Sequence, residues 1–358
     1  MDKKMLGINI GIDLGTSSVI VYVDGKGIVL SEASATARET QTGKVFAIGN
    51  KARGMIGRTP DSITVIKPLR DGVISDFTAA QVMLRYFLQK ILGNKIFKPN
   101  LIICMPSTVT DLEKRTLLDM ATSSGAGRAC LVAEPLAAAL GAGVEWGRPK
   151  GVMVVDIGGG TTDVAVITMG AISVSKSVRV AGSSLDDAII RYVRRERNMI
   201  IGELTAEDIK KKIGCAHMRD AEIAIQVKGK NYLTGLPSYF EITTTEVFLA
   251  IREQLAQIVE TARQVLEVTP PELSADISET GIVLTGGGAL LTGIDGLIKK
   301  KTGIKTVVAN DPVNCVAKGI GYALKRMDIL EENGYLFKTR GEVTGLSEGT
   351  PKGYESYE

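Results

Sequence analysis

The sequence predicts a duplicated α/β fold: two related halves, each a mixed sheet with helices on its faces, meeting at a cleft. Three observations lead there. The pattern apolar strand, Asp, Gly/Thr turn, apolar strand occurs at Gly11-Ile12-Asp13-Leu14-Gly15-Thr16-Ser17-Ser18-Val19. It recurs at Val154-Val155-Asp156-Ile157-Gly158-Gly159-Gly160-Thr161-Thr162-Asp163-Val164. Strand-like and helix-like periodicities mix after each copy, as in sheets covered by helices. A third glycine turn, Leu284-Thr285-Gly286-Gly287-Gly288-Ala289-Leu290, again follows an apolar strand and opens toward a helix.

In order along the chain, Ile8–Asp13 is the first strand and Val19–Val23 returns through the Gly-Thr turn, with Asp24-Gly25-Lys26-Gly27 turning into Ile28–Leu30. Residues 32–68 break the pattern with Gly, Thr and Arg and are expected to form a small peripheral lobe. Helical spacing over Ala79–Leu92, a buried strand at Leu101–Met105 and a capping box opening Thr110–Ser124 follow. Leu131–Ala133 feeds Glu134-Pro135 and a small-residue helix, Leu136–Gly143. The second half restarts at Gly151–Asp156, returns at Val164–Thr168, and continues with helices at Ser184–Glu196 and Thr205–Ile213, the latter with Thr205 as its expected N-cap. Strands Glu222–Lys228 and Tyr239–Thr243 suit a second small lobe. Glu246–Leu266 carries Val247, Ile251, Leu255, Ile258, Ala262 and Val265 on one face. Strands Gly281–Leu284 and Thr306–Ala309 and a final helix over residues 314–330 complete the fold. The expected organisation is a first domain over 1–145, onto which the 314–330 helix packs back, a second over 146–313 with its small lobe at 182–245, and a polar, disordered tail at 341–358.

Composition narrows the function. A net charge of +3 with dispersed Lys and Arg gives no argument for nucleic acid. The four cysteines, Cys104, Cys130, Cys215 and Cys315, show no CxxC spacing, so reduced thiols in a cytoplasmic protein are expected rather than zinc. His217 is the single histidine, which leaves little room for a Ser-His or Cys-His nucleophile. No signal peptide precedes Asp13, and the apolar run 151–172 is interrupted by Asp156, Thr161, Thr162 and Asp163, so no bilayer span is expected.

The repeated turn suits phosphate. Glycines let backbone N–H groups approach an anion, Thr hydroxyls add donors, and an Asp ending the strand suits a hydrated Mg²⁺. Taken alone, such a turn is also an ordinary hairpin closure, and the third glycine run an ordinary strand–helix turn; together the three outline a nucleotide cleft. None matches a P-loop or a GxGxxG fingerprint.

Beyond these turns, GIDLGT (11–16), LVAEPLAAALGAG (131–143), VVDIGGGTTDVAVI (154–167), IGELTAEDIKKKIG (201–214), TPPELSADI (269–277), GIVLTGGGALLTGID (281–295) and DPVNCVAKG (311–319) stand in the order and spacing of a known family. The chain resembles the actin/Hsp70/hexokinase-type ATPases and, more closely, the MreB family of bacterial actins, over roughly residues 7 to 330. The resemblance implies an actin-like ATPase fold: two duplicated RNase H-like domains, each with a small accessory subdomain, and ATP with Mg²⁺ in the cleft between them. It implies that Asp13 and Asp156 hold Mg²⁺ through water. Gly15, Thr16, Ser17 and Ser18 would embrace the β-phosphate, and Gly158, Gly159, Gly160 and Thr161 would meet the γ-phosphate. Glu134 would orient the attacking water with help from Thr161, where the plain alternative is a helix N-terminal carboxylate. Glu207, Asp208, Ile209 and Lys210 would contact the adenosine, against the alternative of a solvated i,i+3 ion pair. Gly286, Gly287, Gly288, Ala289 and Leu290 would close over the nucleotide. At 17–18 the family commonly has Ala-Asn where this chain has Ser17-Ser18, which puts turnover rate in question more than binding.

By residue type, Ile96-Phe97 between Lys95 and Lys98 either inserts into a bilayer or folds back onto the core; the resemblance favours insertion, since family members bind membranes at a loop here. The same resemblance implies a slow ATPase that polymerises into filaments, with paired protofilaments, on the inner face of the plasma membrane, working with membrane proteins of the cell-elongation machinery to set cell shape. An Hsp70-like chaperone ATPase or a small-molecule kinase of the same superfamily are the competing readings. The first would need a substrate domain after the core, the second an acceptor-activating carboxylate.

Overall fold

The computed structural model describes residues 8–93, 98–145, 147–332 and 334–345. Two large sheets repeat one arrangement. In the first, Gly27–Ala33, Ser18–Val23 and Asn9–Leu14 run antiparallel in turn, and Asn100–Met105 and Arg128–Ala133 then add in parallel. In the second, Ala171–Val178, Thr162–Thr168 and Val152–Ile157 are antiparallel, followed in parallel by Ile282–Thr285 and Thr306–Val308. Each hairpin's first strand sits at the sheet centre, so Asp13 and Asp156 occupy matching positions. These central strands read as continuous apolar runs because both faces are covered by other elements.

Each half has its own core, and a third cluster joins them: Ile102 and Val132 of the first sheet, Val154 and Ala165 of the second, and Leu136, Val316 and Ile320 from two helices between. Those helices, Glu134–Gly141 and Cys315–Leu324, pack backbone to backbone. A Cβ on Gly319 would stand 1.7 Å from the Ala137 carbonyl oxygen, and one on Gly141 would stand 1.8 Å from that of Cys315. The small-residue composition EPLAAALG is thus a requirement of the junction between halves, where even one added methyl costs about 1–3 kcal/mol or forces the helices apart.

Each half carries a small lobe. Strands Thr36–Glu39, Val45–Ile48 and Ile63–Ile66 with helix Asn50–Arg53 close over an alanine core of Ala33, Ala35, Ala37, Ala47 and Ala52. Strands Met199–Ile200, Ala224–Asn231 and Pro237–Thr243 form the other, beside helices Gly182–Arg197 and Glu203–Ile213. The periodicity read for 246–266 is realised in helix Thr244–Glu267, where Val247, Ile251, Leu255, Ile258, Ala262 and Val265 are all buried and Thr243 with Glu246 forms a capping box.

Several expectations need correction. Helix Glu203–Ile213 starts at Gly202, with no side-chain cap, so Thr205 lies inside its first turn. The final helix is split: a 3₁₀ turn at Pro312–Asn314, helix Cys315–Leu324, then Met327–Glu332. The chain does not become irregular at residue 341. Lys338–Thr339 adds a sixth strand to the first sheet on Arg128–Ala129, and helix Arg340–Gly345 buries Val343 in the first core, with Thr339 and Glu342 bonded reciprocally at its start. One valine among polar residues is too weak an apolar signal to reveal a docked helix. The rest of that expected tail, and Ile96 and Phe97, lie outside the described residues.

Candidate functional site

The two Asp–Gly–Thr turns are closed by the same bond, Gly15 N–H to the Ser18 carbonyl (3.0 Å) and Gly158 N–H to the Thr161 carbonyl (2.9 Å). They also touch. A Cβ on Gly159 would lie 2.1 Å from Ser17 Oγ, and one on Gly160 would lie 2.4 Å from Thr16 Oγ1. Helix Gly182–Arg197 orients the second turn from behind, since Gly182 and Ser183 donate to the carbonyls of Gly158 and Gly159 (3.1 and 2.8 Å). With those carbonyls held, the peptide planes of the turn have a set direction.

Beneath the turns lies a cluster of carboxylates from both halves. Asp13 is pushed up to about 7, by burial first and then by the charge of Asp156. Asp156 is also raised to about 7 by burial, against a 2.6 Å hydrogen bond from Thr285 Oγ1 that favours its charged form. Glu134, at the first position of its helix, is held well above the usual carboxylate range by burial and by the negative charges of Asp163, Asp13 and Asp156. Asp163 is fully buried and likewise raised by burial; Ser107 donates to its Oδ1 through backbone N–H (2.9 Å) and hydroxyl (3.2 Å), while Oδ2 has no hydrogen-bond partner. Such crowding of anionic groups fits a site completed by a divalent cation. Among the described residues no three acidic, His or Cys side chains are placed to bind a metal directly, and a pair of carboxylates facing across the cleft suits an ion held through its waters.

The third glycine turn packs against the end of the Asp156 strand. Cβ atoms on Gly286 and Gly288 would lie 2.4 and 2.2 Å from Ile157 atoms, whereas Gly287 has open space. Gly287–Leu290 is a single 3₁₀ turn, not the start of an α-helix; the helix begins only at Ile294. The expected helix N-terminus at this loop is therefore absent. Ala289 is buried and Leu290 is exposed.

The adenosine candidates separate. Glu207 and Lys210 do not pair with each other. Glu207 bonds Arg53 of the opposite small lobe and Lys211 (2.5 Å each), and Lys210 bonds the Gly182 carbonyl and pairs with Asp186 (2.8 Å each). Asp208 turns outward to Lys212 (2.7 Å), and Ile209 is buried in the second core, so neither side chain faces the cleft.

Three features went unread in the sequence. Asp163 lies opposite Asp156 in the antiparallel ladder, and an Asp inside the otherwise apolar return strand of the repeated motif is its signal in the sequence. Asp71-Gly72, with φ of 50° and 77°, turns a short hairpin (Leu69–Arg70 with Val73–Ile74) into the site; Gly72 N–H donates to Thr16 Oγ1 (3.2 Å), and its Cβ would lie 2.9 Å from Thr161 Cγ2. The Asp-Gly pair was its signal. Arg53 had none, because its partner is distant in sequence.

With this geometry the family comparison is decisive: the model of the family described as MreB/Mbl protein matches residues 7–332. The chain belongs to the MreB/Mbl family. It is 47% identical to the cell shape-determining protein Mbl of Bacillus subtilis (strain 168), over 91% of this chain and 98% of that protein. It is 45% identical to the cell shape-determining protein MreB of Escherichia coli (strain K12), over 92% and 97%. Among solved structures, MreB5 of Spiroplasma citri bound to ADP matches with a TM-score of 0.87 and 38% identity, covering 92% of this chain and 99% of that one. The MamK double helical filament matches at 0.76 and 21% identity, over 89% and 99%, a likeness of fold. The actin-like fold of this MreB/Mbl chain is thereby shown, and the chaperone and kinase readings fall away.

Proposed function

We propose that this chain is an ATP-binding cytoskeletal protein that hydrolyses ATP slowly, polymerises into filaments and determines cell shape by organising cell-wall synthesis. The observation that carries the reading is the contact between two like phosphate turns from opposite halves, above a cluster of buried carboxylates. Its relatives support it: Mbl and MreB are named as cell shape-determining, and MreB5 has been solved with ADP and with AMPPNP.

In this reading Gly15 to Ser18 hold the β-phosphate, and Gly158 to Thr161 the γ-phosphate. Asp13 and Asp156 hold a hydrated Mg²⁺, which neutralises charge on the phosphates when bound. Glu134 and the Thr161 hydroxyl orient the attacking water; a loose phosphoryl-transfer transition state needs positioning and charge stabilisation more than a strong base. The third turn, Gly286 to Leu290, lies beside the nucleotide. Closing the cleft changes the relation of the two halves, which couples nucleotide to head-to-tail stacking of copies. Paired protofilaments, attachment to the inner membrane face through Ile96 and Phe97, and work with membrane proteins of the elongation machinery complete the proposal. No helix among the described residues is long and apolar enough to cross a membrane.

The test is Glu134→Ala. Removing a water-orienting group lowers hydrolysis by about 10²–10³-fold, while ATP binding, followed by titration calorimetry, is retained. Undiminished hydrolysis would reject the assignment. Liposome co-sedimentation of Ile96→Ser/Phe97→Ser against wild type tests the membrane loop, and unchanged binding would reject it.

A further inference from the structure

Helix Glu203–Ile213 presents Glu203, Glu207 and Lys210 at i, i+4 and i+7, a single stripe about 10 Å long. The ends of this stripe are tied to different parts of the molecule. At the inner end Lys210 Nζ donates to the Gly182 carbonyl, and Gly182 N–H donates to Gly158, so this end rests against the second phosphate turn. At the outer end Glu207 bonds Arg53 (2.5 Å) and Glu203 bonds Lys67 (2.6 Å). Both cations belong to the first half, so both pairs span the mouth of the cleft.

The two cations are held by local structure. Arg53 ends a helical turn whose Asn50 is fixed by bonds with Ala33 N–H (3.2 Å) and Glu32 Oε2 (2.9 Å). Lys67 lies just before the Leu69–Ile74 hairpin, its carbonyl accepting from Ser75 Oγ (3.2 Å). That hairpin's Asp71-Gly72 tip touches Thr16 and Thr161, one residue from each phosphate turn. The outer pairs and the phosphate turns are therefore mechanically joined through a few residues. Burial works to raise the Glu207 carboxyl, but its bonds with Lys211 and Arg53 hold it below the usual range, as expected of a group engaged as an anion.

We propose that Arg53–Glu207 and Lys67–Glu203 form a two-pin electrostatic latch between the small lobes that sets how long a nucleotide stays in the cleft. The proposal rests on reading the cleft as a nucleotide site. Opening the lobes to release the ligand breaks both pairs together. Exposed ion pairs are individually weak, because water screens them and long side chains lose freedom. The latch therefore acts on residence time over a small range and responds to salt.

Lys67–Glu203 is the pin to test, since neither residue is assigned to nucleotide contact. Release of a fluorescent ATP analogue, chased with excess unlabelled ATP in stopped flow, is measured for wild type, Lys67→Ala, Glu203→Ala, the double variant and the swap Lys67→Glu/Glu203→Lys. Each single substitution should speed release about three- to fivefold, the double should be no faster than either single, and the swap should return most of the lost residence time. Raising salt from about 50 to 500 mM should speed wild-type release more than that of the double variant. Unchanged release in both singles, or additive effects without recovery in the swap, would overturn the latch while leaving the nucleotide site standing. Failure of the wild-type chain to take up the analogue would overturn both.

Discussion

The two Asp–Gly–Thr turns share one ladder position, one closing hydrogen bond and one preceding Asp, yet they differ at two side chains: Thr16-Ser17 in the first stand where the second has Gly159-Gly160. The contact between them explains the difference. The first turn projects Thr16 and Ser17, and the second receives them at positions where a Cβ would lie 2.4 and 2.1 Å from their hydroxyl oxygens. Duplication supplied two equal hairpins, and the closed cleft leaves room for side chains on only one. The second turn is also the one fixed from behind by a helix, through Gly182 and Ser183.

The largest expected effect on nucleotide binding follows from that asymmetry. Gly159→Ala should weaken ATP affinity by about tenfold or more, since the new methyl must displace Ser17, whereas Gly15→Ala, whose Cβ would meet Ser18 O at 3.0 Å, should cost less. Ser17→Gly combined with Gly159→Ala should recover part of the loss. Equal effects at both glycines, measured by calorimetric titration, would break the comparison.

The largest effect on stability is expected from Val343→Asp. It buries a charge where the C-terminal strand and helix dock on the first half, and it should cost about 2–4 kcal/mol and free that segment, read by denaturant unfolding and by hydrogen exchange at 128–133. The second sheet has no strand at the matching edge among the described residues, so this addition is a second departure from equal halves, lying beyond the family match at 7–332.

A smaller effect concerns pH. Asp13 and Asp156 are raised to about 7 from an unfolded value of 3.8. Between those values the metal-free native state holds more protons than the unfolded chain, so its stability falls as pH rises from about 4 through about 7. The melting temperature without Mg²⁺ should therefore be a few degrees lower at pH 8 than at pH 6, and Mg-ATP should raise it most at pH 8, where both carboxylates are free to hold the ion. The smallest expected change is from Ser17→Ala/Ser18→Asn, which introduces the Ala-Asn pair that the resemblance implies at these positions. It should alter turnover about twofold with ATP affinity kept, measured by phosphate release.

The sheets, their central Asp residues and the long amphipathic helix were legible because each rests on a local pattern: apolar runs, Asp–Gly–Thr, and 3.6-residue spacing. The place of Glu134 at a helix start was legible from Glu134-Pro135 after an apolar strand. What could not be read depends on tertiary encounters. Arg53 meets Glu207 across the cleft, Ser107 caps Asp163 from the other half, and Ile209 points into the core though it sits among cleft residues. Asp71-Gly72 announced a turn but not that the turn enters the site. Val343 is anchored by the surface it meets, and nothing near it in sequence describes that surface.

In the proposed function, nucleotide held between the two turns drives assembly. High-speed sedimentation with electron microscopy in Mg-ATP, in Mg-ADP and without nucleotide tests it most directly, with Gly159→Ala alongside wild type. Pelleted filaments are expected for wild type in Mg-ATP, fewer without nucleotide, and a marked loss for Gly159→Ala in the same ATP. Absence of filaments from wild type under all three conditions, or equal filaments from both proteins regardless of nucleotide, would contradict it.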